Sequence, residues 1–165
     1  MNISRAVVGL LALSAAFPAL ADGPRWFVLL QASSEHQAEF VDRASLTRDG
    51  QQVTFWQHQV LDGTTIARRD VRQIKAHVHL SCDKRKFVMD DTTLFDQQGR
   101  VIGTDHAGTK VWDIQPGSSS EGISRVVCDP QFGVGNITGV FPVSADLERE
   151  AAKIFNVFKG AASAK

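Results

Sequence analysis

From Ile74 to Cys82 the chain alternates without a break: Ile74, Ala76, Val78, Leu80 and Cys82 are small or apolar, while Lys75, His77, His79 and Ser81 are polar. A period of two belongs to a strand with one face in a core and the other toward solvent. No other stretch constrains the fold as much. It requires a sheet, requires a layer covering one side of that sheet, and sends Cys82 toward that layer. Both histidines share the opposite face, so a His-His-Cys metal set or a Cys–His catalytic pair within this strand is excluded by geometry.

The flanking segments extend the sheet. Arg25–Gln31 and Ala38–Asp42 read as short strands, and Gln52–Leu61 as a longer one between turns at 48–50 and 62–64. Lys84–Asp96 and Val101–His106 form a hairpin through the turn 97–100, where Gly99 is free to take positive φ. With the strand from Ile74 this makes an antiparallel sheet of about six strands, not a βαβ alternation.

Two helices complete an α+β chain. Ser118 stands three residues before Glu121, a capping box for a helix ending at Cys128. Ser144 and the early acidic residues Asp146 and Glu148 introduce a second helix over 145–158, with Gly160 just beyond it. Its stripe of Leu147, Ala151, Ile154, Phe155 and Phe158 is expected to cover core of the same domain, the alternative being a docking face for a partner.

The first residues are an export signal: Arg5, an apolar run from Ala6 to Ala16, then the small residues of Ala19-Leu20-Ala21. That run is short of the roughly 20 residues a membrane span needs. No cysteine follows the cut, so neither a lipid anchor nor a permanent membrane span is expected. Removing residues 1–21 takes one arginine, leaving 17 Lys and Arg against 18 Asp and Glu. That balance argues against nucleic acid as a partner. Cys82 and Cys128, 46 residues apart, read as a disulfide in an oxidising compartment, the other reading being two free thiols. The bond would pin the first helix across the sheet and is worth about 4 kcal/mol on a chain-entropy account.

The segments "FVDRASLTRDGQQVTFW", "LSCDKR", "LFDQQGRVI" and "VWDIQPGSSSEGISRVVC", in this order, resemble the surface-adhesin E family of small exported bacterial domains. The positions that carry the likeness are Asp42, Ser45, Trp56, Cys82, Asp96, Gly99, Trp112, Pro116, Gly117, Ser118, Glu121 and Cys128. The resemblance implies a domain over 22–128, a mostly antiparallel sheet with the cysteine-ended helix tethered to one face, and no catalysis. It also implies an adhesin-like role toward a protein or glycan partner, in the periplasm or at the cell surface. Residues 129–165 are then a C-terminal extension carrying the second helix.

Chemistry-bearing motifs are sparse. No nucleophile elbow, phosphate loop or zinc-protease motif occurs, so neither an enzyme nor a cofactor is expected. Asp90 and Asp91 are neighbours on a strand and should face opposite ways. His77 and His79 can hold one metal ion between them, with His58 or His106 as a further ligand if their strands are adjacent. A periplasmic metal-binding protein is therefore the competing function, against plain solvated histidines. Arg68, Arg69, Arg72, Lys75, Lys84, Arg85 and Lys86 suggest a basic strip for an acidic partner, or simply charged strand ends that deter aggregation.

Overall fold

A computed structural model describes residues 24–63, 65–66, 69–106, 108, 110–132 and 137–163. The expected export signal at 1–21 lies outside the described residues. The strands are β1 (Trp26–Leu29), β2 (Gln37–Asp49), β3 (Gln52–Leu61), β4 (Thr65–Ile66), β5 (Arg69–Asp70), β6 (Gln73–Ser81), β7 (Lys86–Phe95), β8 (Val101–Asp105), β9 (Trp112–Asp113) and β10 (Val140–Val143). The helices are α1 (Ser119–Val127) and α2 (Leu147–Ser163), with a 3-10 turn at Leu30–Ala32.

Eight strands form one antiparallel sheet in the order β10-β1-β2-β3-β6-β7-β8, with β9 also on β7; β4 and β5 make a separate ribbon. The expected six strands are therefore too few. The chain pairs more extensively than its pattern advertises. β2 runs well past Asp42, because a bulge between Asp42 and Thr47 lets the ladder with β3 resume. Ser45 holds that bulge: its Oγ donates to Asp42 O at 2.7 Å and accepts the Trp56 N–H at 2.8 Å. β10 arises in a stretch with no alternation, since β1 supplies an open edge for it to pair with.

The alternation in β6 settles the layers. Val78 and Leu80 are buried with Val53, Phe55, Val41 and Leu29 beneath Ile123, Val126 and Val127 of α1. On the opposite face, Val28, Phe40 and Val60 pack against Leu147, Ala151, Ile154 and Phe155 of α2. The apolar stripe of α2 thus covers sheet, and the segment after Cys128 shares strands and core with the rest.

Cap chemistry sets both helices. Ser118 Oγ accepts the Glu121 N–H, and Glu121 Oε2 reaches back to the Gly117 N–H at 2.7 Å, one residue earlier than a standard capping box. That hydrogen bond and the Arg85 guanidinium hold the Glu121 carboxyl down at about 2. Gly122 is costly for helix propensity yet fits: a Cβ there would meet Gln31 O at 3.1 Å, so glycine lets α1 lie close to the 3-10 turn. In α2, Asp146 caps through Oδ1 to the Arg149 N–H, displacing Ser144 from the expected capping role, and the helix continues through Gly160. Cys82 and Cys128 are bonded, with Cα atoms 5.9 Å apart, so the end of β6 is tied to the end of α1.

Candidate functional site

α2 covers only part of its face of the sheet. Beyond it, Trp56 of β3 and Lys75, His77 and His79 of β6 stand partly open. Trp56 and His77 oppose each other in register, with ring centroids 5.0 Å apart, and Lys75 Nζ sits 4.4 Å over the Trp56 ring. The two imidazoles meet edge to face at 4.8 Å.

Asp90 joins them, against the sequence expectation for neighbouring carboxylates. His77 pairs with Asp91 and Val78 with Met89, so Asp90 has no opposite residue and is the extra residue of a bulge. The bulge turns Asp90 onto the histidine face, where Oδ1 lies 2.9 Å from His77 Nδ1 and Oδ2 lies 2.6 Å from His79 Nε2. Partial burial pushes the Asp90 carboxyl up, but the hydrogen bonds from the two histidines outweigh it and leave the group below its ordinary value.

Neither further ligand considered from the sequence reaches this cluster. His58 is bonded through Nε2 to Gln73 Oε1 at 2.8 Å and is ringed by Trp26 and Phe95, and its burial lowers its pKa. His106 Nδ1 pairs instead with Asp91 Oδ1 at 3.0 Å.

The basic residues are dispersed. Arg68 lies outside the described residues, and Arg69 is placed only as a member of β5. Arg72 is engaged under α2, hydrogen-bonded to Leu61 O and near Asp62 and Glu148. Lys84, Arg85 and Lys86 sit at the other end of β6, in the corner leading to β7, so among the described residues these side chains do not form one continuous strip. Arg85 is paired with Glu121 at 2.9 Å.

That corner gathers residues the sequence did not connect to it. β9 pairs Trp112 with Phe87 and Asp113 with Lys86, placing the 110–112 segment beside Lys84 and Lys86. Lys110 Nζ lies 3.6 Å over the Trp112 ring, and Val111 and Trp112 are exposed by 56 % and 42 %. A shallow depression of about 230 Å³ runs from Lys84, Lys86 and Val111 to His79.

A cleft of about 220 Å³ opens between the start of α1 and the sheet. At its floor Glu39 is 1 % exposed and accepts from Gln57 Nε2 at 2.6 Å and Gln59 Nε2 at 2.7 Å. Desolvation dominates these bonds and pushes the carboxyl up to about 7.

Comparison with known proteins now bears on this geometry. The family described as Surface-adhesin protein E matches residues 26–129. The chain belongs to that family. No curated protein matches it. Among solved structures, crystal form II of Haemophilus influenzae protein E is 18 % identical, with a TM-score of 0.45, covering 58 % of this chain and 82 % of that one. A second structure of Haemophilus influenzae protein E is 16 % identical, with a TM-score of 0.41, covering 60 % and 82 %.

Membership supports an adhesin-like surface protein and points away from catalysis. It says less about where a partner binds, because most of the positions that carry the likeness hold backbone. Asp42 and Ser45 fix the β2 bulge, and Asp96 accepts the Gln98 and Arg100 N–H groups of its turn. Glu121 and Ser118 cap α1, and the two cysteines tie it down. Among the described residues, the side chains of the two tryptophans hold no such backbone bond: Trp56 is partly open and Trp112 is 42 % exposed. Among the described residues no helix is long and apolar enough to cross a membrane.

Proposed function

We propose that this chain is an exported adhesin-like protein of the cell surface that binds a protein or glycan carrying anionic groups, without catalysis. Its contact surface is the corner formed by Lys84, Lys86, Lys110, Val111 and Trp112. The observation that carries the reading is Trp112, which lies within the matched residues and is 42 % exposed with Lys110 laid on its ring. Trp112, with Lys110 on its ring, supplies aromatic area at the β9 edge, and the lysines supply attraction and orientation. Exposed charges of this kind act mainly on association rate and are screened by salt.

The test is binding of the folded domain to immobilised host extracellular proteins and, in separate arms, to sulfated and neutral glycans. Saturable binding that weakens with salt and falls at least about tenfold in Trp112→Ala or Lys84→Glu/Lys86→Glu supports the proposal. Binding that these variants leave intact, or no binding in any arm, overturns it. The protein and glycan arms separate the two kinds of partner.

A further inference from the structure

His77 Nδ1, His79 Nε2 and a carboxylate oxygen of Asp90 all lie within 4.8 Å of one another, on one open patch of sheet. Two of these groups come from the strict alternation of β6, and the third arrives only because β7 carries a bulge opposite them. Had β7 continued in register, Asp90 would face the other way. A bulge that re-aims a single side chain into a set of ligand types is a feature seen next to functional sites.

We propose that His77, His79 and Asp90 form a surface site for one divalent cation of the zinc class, with a coordination position left open to solvent. The chemistry of the donors fits such an ion: two imidazole nitrogens and one carboxylate oxygen suit zinc, whereas magnesium and calcium prefer all-oxygen sets. The geometry is close. Tetrahedral bonds of about 2.0–2.1 Å place ligand atoms roughly 3.3 Å apart. The present separations of 2.9 and 2.6 Å, to the two oxygens of Asp90, would open by less than about an ångström, and the widest separation among the three ligand atoms, within 4.8 Å, would close by up to about 1.5 Å. Packing of Trp56 on the His77 ring restrains that imidazole, which lowers the ordering needed on binding. His79 also lines the depression that reaches Lys84 and Lys86, so a bound ion would add positive charge beside the proposed contact surface.

This site stands on its own ligands and does not depend on the adhesin reading. Its test is titration of untagged, metal-free protein with zinc chloride by calorimetry, with magnesium chloride as control. Long-range imidazole NMR spectra follow the individual histidines. The expected result is one equivalent of zinc at micromolar concentration or below, no magnesium binding, and shifts confined to the rings of His77 and His79. Asp90→Asn and His79→Gln, which preserve side-chain size, should each weaken zinc binding at least about tenfold. Absence of zinc uptake overturns the proposal. So do uptake that both variants retain and ring shifts that fall on His36 or His106 instead. Because the NMR readout uses the wild-type chain, a variant that fails to fold does not rescue it.

Discussion

Cys82 and Cys128 are covalently joined across 46 residues, fastening the last turn of α1 to the end of β6 on the buried side of the sheet. α1 is nine residues long and contains Gly122 as its fourth residue. A helix that short is marginal by itself, so its place depends on what it is fastened to and what it buries.

Cys82→Ser should therefore lower the melting temperature, with a stability loss of roughly 2–4 kcal/mol. Thermal unfolding with and without reductant measures it: the wild type should fall to the variant's level under reduction, and the variant should not respond. An equal response of both proteins would show that the bond is not what stabilises α1.

The two faces of β6 should respond differently to truncation. Leu80→Ala removes a buried side chain packed under α1 and should cost about 2–4 kcal/mol. His79→Ala, on the half-open face, should cost under about 1 kcal/mol. Urea denaturation of both variants checks the register, because a slip by one residue would invert the order.

α2 should behave as part of the core. Phe155→Ala, which empties space between α2 and Val28, Phe40 and Val60, should cost about 3–5 kcal/mol in the same urea experiment. A negligible change would mean that α2 is an appendage.

Glu39 makes stability depend on pH. Its folded carboxyl titrates near 7 against an ordinary value of 4.5, so between these the folded state holds a proton the unfolded chain has lost. The stability this supplies, of order 3 kcal/mol, is full below about pH 4.5, declines as pH rises, and is gone above about 7. His58, lowered by burial, works in the opposite sense: its contribution is present above its ordinary value and is lost as pH falls. The informative quantity is the stability of wild type minus that of Glu39→Gln, which should fall, to the disadvantage of wild type, as pH rises from 5 to about 7. A constant difference would contradict the assignment.

The parts of this fold that were legible in the sequence are those governed by local chemistry. The alternation of Ile74–Cys82, the Ser118 cap, the Gly99 turn and the α2 stripe each declare themselves within a few residues. What was hidden depends on a partner strand. β10 has Pro142 in it, and Phe141 is 51 % exposed, so nothing in 140–143 reads as a strand until β1 offers an edge. Asp90 is the sharper case. Its direction is set by a bulge whose existence depends on register with β6, which no pattern in residues 86–95 records. The corner at Trp112 is hidden for the same reason, since β9 is two residues long and exists only through β7.

The most direct test of the central claim is adhesion of intact source cells to surfaces coated with host extracellular proteins or sulfated glycans. The strains compared are wild type, a deletion strain, and the deletion complemented with either the wild-type chain or Trp112→Ala. Deletion should reduce adhesion to at least one coating, and the wild-type chain should restore it. Trp112→Ala, present at the surface in equal amount by antibody labelling of unpermeabilised cells, should leave it near the deletion level. Equal adhesion with and without the gene, or a protein that antibody reaches only after permeabilisation, would contradict the central claim.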